Sequence, residues 1–189
     1  MKRKDFNSLI DNNRLEELFN EMGWDHPHNN QPIYITIDGI DYDFYSVAEK
    51  SGFQVFKCNV QMIPSAADCK KIDNQLRRQA YDYICVFILE NTSHHLWLTP
   101  VKTNEKRELV KSEYINGDQA DFLWSKIDDL SFELTERVFI TDVKEKVQGS
   151  FHLNSEKITK EFYTQFRKQH TAFKKHITGI EEDKDVDWY

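Results

Sequence analysis

Ile33-Tyr34-Ile35-Thr36-Ile37-Asp38-Gly39-Ile40-Asp41-Tyr42-Asp43-Phe44 decides how this chain begins to fold. Its first five residues are β-branched or aromatic, the types that suit a pleated, half-buried surface. Asp38-Gly39 is the signature of a two-residue hairpin turn. Beyond it, Ile40, Tyr42 and Phe44 alternate with Asp41 and Asp43, so this strand has one apolar and one acidic face. Glu49-Lys50-Ser51-Gly52 makes a second turn, and Phe53 to Val60 a third strand. Ile33 to Val60 is therefore expected to form an antiparallel meander of three strands.

On the N-terminal side, Leu9, Leu15, Leu18, Phe19 and Met22 recur near helical spacing, and Gly23 is placed to stop the helix. One amphipathic helix over Ser8 to Met22 is the expectation. On the C-terminal side, Pro64-Ser65 opens a helix with Asp68 completing a capping box. Its apolar side is Cys69, Ile72, Leu76 and Ala80. Tyr83-Ile84-Cys85-Val86-Phe87-Ile88-Leu89 is a continuous apolar run of strand length, as a central strand buried on both faces requires. Leu96-Trp97-Leu98 is its expected hairpin partner. Asn104 to Ser112 reads as charged and exposed, and Asp118 to Leu130 as a helix burying Phe122, Leu123, Ile127 and Leu130. Val138-Phe139-Ile140 reads as a short strand or an extended approach to the next element. The last stripe, Ile158, Phe162, Phe166, Phe173 and Ile177, predicts a long helix from Ser155 to Gly179, capped by Asn154 or Ser155. The fold class is thus α/β (α+β): a mixed sheet with flanking helices and a long C-terminal helix.

With 39% hydrophobic residues, the 189-residue chain can bury a core of its own. The formal charge of −7 argues against holding nucleic acid by overall electrostatics, so any such contact must be local or lie on another part of the protein. Cys58, Cys69 and Cys85 form no C-x-x-C pair and read as reduced thiols of a cytoplasmic protein. No signal core follows the basic start, and no run approaches the ~18 apolar residues of a membrane span.

Few motifs carry chemistry. The glycines are isolated, so no phosphate loop is present, and there is no G-x-S-x-G elbow. His26/His28 and His94/His95 lack partners at metal-ligand spacing and read as structural or surface residues. Lys70, Lys71, Arg77 and Arg78 are candidates for a phosphate backbone, because positions 70, 74, 77 and 78 share one helical side. The weighed alternative is a solvated helix face. Trp24, Trp97 and Trp124 read as packing residues.

The order of elements from Leu9 to Leu89 resembles the PD-(D/E)XK nuclease core. That core needs an acid on one strand and Glu-x-Lys on the next, two carboxylates to hold Mg²⁺ and a lysine to position the attacking water. Asp41 or Asp43 could be the first acid, with Asp43 taken for the candidate pair, and Lys57 is the lysine. Two residues before Lys57 stands Val55, and Gln54 cannot replace a metal-binding carboxylate. The pair Asp43 and Lys57 is therefore read as a vestigial site without a metal, against the plainer reading of an acidic strand face and a surface lysine.

The segment Ile158-Thr159-Lys160-Glu161-Phe162-Tyr163-Thr164-Gln165-Phe166-Arg167, with His170, Phe173 and Ile177-Thr178-Gly179-Ile180, is similar to the stretch preceding the methyltransferase domain of Type IIG, Eco57I-like restriction-modification proteins. Ile140-Thr141-Asp142-Val143 with Phe151, and Arg14-Leu15-Glu16-Glu17-Leu18-Phe19 with Gly23-Trp24, share the likeness. The resemblance implies an N-terminal module of a bacterial defence protein that methylates DNA adenine. Residues 1–150 would be the nuclease-like domain and 151–189 a connector helix leading toward a methyltransferase domain. The parent would use S-adenosylmethionine and Mg²⁺ and act on double-stranded DNA. The family's donor-binding loop and its N-P-P-[YF] motif are absent here, so neither activity passes to any residue of this chain. The module's role would be DNA engagement or scaffolding. The rival reading is a non-enzymatic module that binds a partner subunit through the C-terminal helix. The connector reading carries its own expectation, that Phe173, Ile177 and Ile180 are exposed and promote self-association.

Overall fold

The computed structural model describes residues 3–103, 106–115, 120–133 and 138–151, together with 166, 167 and 169. The chain divides into two compact units, Met1–His152 and Leu153–Tyr189. In the second, Phe166, Arg167 and Gln169 are helical. The stripe from Ile158 to Ile177, Ile180 and the connector role lie otherwise outside the described residues.

The meander forms as its residues dictate. β1 (Ile33–Ile37) pairs antiparallel with β2 (Ile40–Lys50), and β2 with β3 (Phe53–Val60). Both turns hold two residues in the left-handed region: Asp38 and Gly39 at φ 52° and 84°, Ser51 and Gly52 at φ 52° and 88°. Such turns match the right-handed twist of the strands they join. A bulge between Ser46 and Ala48 shifts the β2–β3 register, and Val47 and Ala48 are both buried beside it.

Ser65 caps α3 (Ala66–Leu76) by the expected box: its hydroxyl accepts from the Asp68 N–H at 3.2 Å, and the Asp68 carboxylate accepts from the Ser65 N–H at 3.3 Å. The helix returns the chain so that β4 (Tyr83–Leu89) runs parallel to β3. β5 (His94–Thr103) and β6 (Lys106–Ile115) complete a mixed sheet in the order β1-β2-β3-β4-β5-β6. β4 is apolar throughout because both its faces are covered. Ile84, Val86 and Ile88 join one core, while Tyr83, Cys85 and Phe87 join the other. α3 packs Cys69, Ile72 and Leu76 into the second core. The first is filled from α1 (Arg3–Asp11), α2 (Leu15–Glu21), α4 (Ala120–Ile127) and α5 (Ile140–Phe151).

Two expectations are corrected, and one open alternative is decided. Ser8 to Met22 is not one helix: the chain breaks between α1 and α2 at Asn13, φ 58°. Asparagine tolerates that conformation, and here its amide is anchored by donating to the Thr92 carbonyl at 3.0 Å. Asn104 to Ser112 is largely a strand, β6, whose Val110, Ser112 and Tyr114 point inward between outward Lys111, Glu113 and Ile115. The density of charge masked a period of two. Of the two readings of Val138-Phe139-Ile140, the approach to the next element is the one seen: α5 starts at Ile140, and Asp142 accepts the Phe139 N–H at 2.9 Å. Among the described residues no helix is long and apolar enough to cross a membrane.

His95 sits fully buried in β5 with Nε2 2.5 Å from the Asn13 side-chain oxygen. Because the Asn13 amide nitrogen is committed to Thr92, Nε2 is the donor, and Nδ1 is left without a hydrogen-bond partner. Burial, then the neighbouring His94, lowers the His95 pKa from 6.5 to about 4, against a smaller opposing pull from Asp11. A depressed pKa means the unfolded chain binds the proton more readily. The stability held above pH 6.5 is therefore lost as pH falls through about 4. The loss should be on the order of 3 kcal/mol. Urea unfolding at pH 7 and pH 4.5 checks it: His95→Phe should flatten the difference between the two, and an unchanged difference would show that other groups control acid lability.

Candidate functional site

Alternation along β2 and β3 settles which way each candidate faces. Tyr42 and Phe44, like Phe56 and Cys58, enter the core under α3. Asp43 and Lys57 therefore project from the opposite side of the sheet, the side on which Val47 and Val55 pack. The two lie on adjacent strands: Lys57 is directly opposite Tyr45, two residues from Asp43, and beside Val86 of β4. The Cys58 thiol donates to the Asn59 carbonyl at 3.8 Å. Burial pushes that thiol up to about 12, and Cys85 well above its usual range, so these cysteines are inert packing groups.

Lys57 opens into a cavity of about 550 Å³ lined by Asn13, Asn59, Ile88, Glu90 and Asn91 besides itself. A second trough of about 540 Å³, lined by Asp11, Asn12, Thr92 and Ser93, shares Asn13 and Asn91 with it. The α1–α2 turn and the β4–β5 turn form these walls, and both turns carry a left-handed asparagine: Asn13 at φ 58° and Asn91 at φ 59°. Asn13, Asn59, Glu90 and Asn91 were not singled out from the sequence. The signals available were the turn-type runs Asp11-Asn12-Asn13 and Glu90-Asn91-Thr92-Ser93, which say nothing of their approach to each other.

A divalent cation does not fit the nuclease pattern here. Val55, where the second carboxylate would stand, is fully buried in the core, and Asp43 is not part of the cavity wall. Among the described residues no group of three or more His, Cys, Asp or Glu side chains could hold a metal ion. His26 and His28 lie beside Glu16 and Glu49, and His94 beside Glu113. S-adenosylmethionine finds no donor-binding motif in this chain either.

The basic set is elsewhere. Lys70 and Lys71 lie on α3, Arg77 caps its C-terminus, and Arg78 follows; all four are exposed. α3 covers the face of the sheet opposite to Lys57, so the candidate pair and the basic set do not share a surface. Lys71 is partly committed, in an ion pair with Asp38 at the β1–β2 turn. Comparison with protein-family models, with curated proteins and with solved structures finds no match for this chain.

Proposed function

We propose that this chain is the N-terminal module of a bacterial restriction-modification protein of the Eco57I-like class. It would contribute DNA engagement or scaffolding through a nuclease-like core whose metal site is degenerate. The observation that carries the reading is the arrangement of β2, β3, α3 and β4. A three-stranded antiparallel meander is followed by a crossover helix and a strand parallel to the third. Asp43 and Lys57 share one face of its second and third strands. With Val55 in place of an acid, Lys57 supplies a positive charge but has no paired carboxylates through which to position a metal-bound water. The reaction belongs elsewhere in the parent, and the parent's double-stranded DNA is the substrate. The exposed cations of α3 favour this reading over a purely protein-binding module.

Two measurements test it. Plasmid DNA incubated with this chain and Mg²⁺ or Mn²⁺ should stay uncut; cleavage that disappears in Asp43→Ala or Lys57→Ala would show the site to be active. Duplex binding, followed at stepped salt, should weaken in Lys70→Ala/Arg77→Ala/Arg78→Ala, with a flatter salt dependence by ~0.9 log units per lost phosphate contact. Binding that is absent at low salt, or indifferent to these substitutions, would overturn the DNA-engaging role of α3.

A further inference from the structure

Among the described residues the sheet ends in β1 on one side and β6 on the other, and the two edges are guarded differently. β6 carries Lys106, Glu108, Lys111 and Glu113, charges that discourage the addition of another strand. β1 contains no charge, no proline and no bulge. Its two-residue turn makes Ile37 and Ile40 a hydrogen-bonded pair, and by alternation Ile35 with Tyr42 and Ile33 with Phe44. Tyr34 and Thr36 are left with their N–H and C=O groups directed away from β2, along the free edge. Both residues are exposed, Tyr34 by 68%.

The strand is also its own complement. Isoleucine occupies every second position from Ile33 to Ile37, whichever way the strand is read. We propose that two copies of this chain associate edge to edge through antiparallel pairing of their β1 strands, centred on Ile35. In that register the outward N–H and C=O groups of Tyr34 meet those of Thr36 in the second copy, and reciprocally. The isoleucines of both copies continue the core under α3 across the junction. The Tyr34 ring covers Thr36 of the other copy on the opposite face. An uncharged strand lets two chains of formal charge −7 meet without like charges in direct opposition. The pairing axis is perpendicular to the sheet, so the exposed cations of both α3 helices lie on the same side. A five-residue pairing buries less than the ~1,200 Å² of a standard stable interface. The association is therefore reversible, with Kd on the order of micromolar.

Sedimentation velocity of the full chain over a wide concentration range reads this out. The mass should rise from 22.5 kDa toward twice that value. Amide exchange should slow at Tyr34 and Thr36 in step with it. Tyr34→Lys and Thr36→Pro should each weaken association at least tenfold, since the side chain of one and the N–H of the other face the free edge. Tyr34→Lys should leave the melting temperature nearly unchanged, while Thr36→Pro also gives up the exposed hydrogen bond from the Thr36 hydroxyl to Asp41 at 2.6 Å. Lys106→Ala on β6 should change nothing. A mass fixed at 22.5 kDa throughout would overturn the pairing. So would a dimer that survives both β1 variants, which would put the contact elsewhere, the segment after His152 included. Neither result bears on the DNA reading, which the α3 substitutions test separately.

Discussion

Replacing Gly23 by alanine should destabilise the fold by ~3–5 kcal/mol, a large effect for the addition of one methyl group. Gly23 has φ 80°, and a Cβ built on it would lie 2.1 Å from the Phe132 carbonyl oxygen. The conformation alone costs alanine about 1–2 kcal/mol. The rest comes from the contact, because the backbone it strikes has nowhere to go. Phe132 donates its N–H to the Met22 carbonyl at 2.8 Å, and Trp24 donates its indole N–H to the Leu130 carbonyl at 2.9 Å. The Gly23 carbonyl itself accepts from the buried Lys50 ammonium at 2.8 Å. Moving residues 130–132 aside breaks the Phe132–Met22 and Trp24–Leu130 bonds at about 1 kcal/mol or more each. Gly39→Ala is the control: its φ is 84°, but its Cβ would meet nothing within 4 Å, so only the conformational cost should appear. Urea unfolding of the two variants compares them. Equal losses would mean that the Phe132 segment yields freely and that the clasp contributes little.

Asp73→Ala should cost about 3 kcal/mol by stranding the buried Tyr83 hydroxyl and the partly buried Arg107 guanidinium. The Asp73 carboxylate, with its side chain 8% exposed, accepts from Arg107 Nη2 at 2.7 Å and from the Tyr83 hydroxyl at 2.8 Å. Arg107 also stacks 4.6 Å from the Tyr81 ring. Burial first, and Asp73 next, raises the Tyr83 pKa well above its usual range, so the phenol remains a neutral donor. Without Asp73 the guanidinium stays largely enclosed with no counter-charge. The double variant Asp73→Leu/Arg107→Met removes both charges and should lose less than the two single variants summed. A single-variant loss below ~1 kcal/mol would show that water reaches the cluster and replaces the carboxylate.

Asp73 illustrates where reading along the chain stops. It stands between Ile72 and Asn74 on an amphipathic helix, where an acid reads as an ordinary polar position. Its partner Arg107 falls in a run dense enough in charge to pass for an exposed loop. Only the pairing of β6 with β5 brings that arginine to the end of β4, against Tyr83 and α3. The acid-sensitive contact of His95 with Asn13 has the same origin, joining residues 82 apart in the chain.

What the sequence determined by itself is what short-range chemistry controls. The two left-handed turns follow from Asp38-Gly39 and Ser51-Gly52, the α3 cap from Ser65 and Asp68, and the doubly covered strand from Tyr83 to Leu89. The turns and the cap rest on backbone preferences or on hydrogen bonds within a few residues, and the strand is marked by a continuous apolar run, so the residues involved are sufficient to specify them. The tertiary structure decided how those pieces face one another. Asp43 and Lys57 share one side of the sheet, while the cations of α3 take the other. Glu90 and Asn13 join Lys57 at one cavity, and the uncharged β1 is left at an edge. These outcomes depend on strand order and register, which are chosen by the burial of two cores at once and are written in no single stretch of the chain.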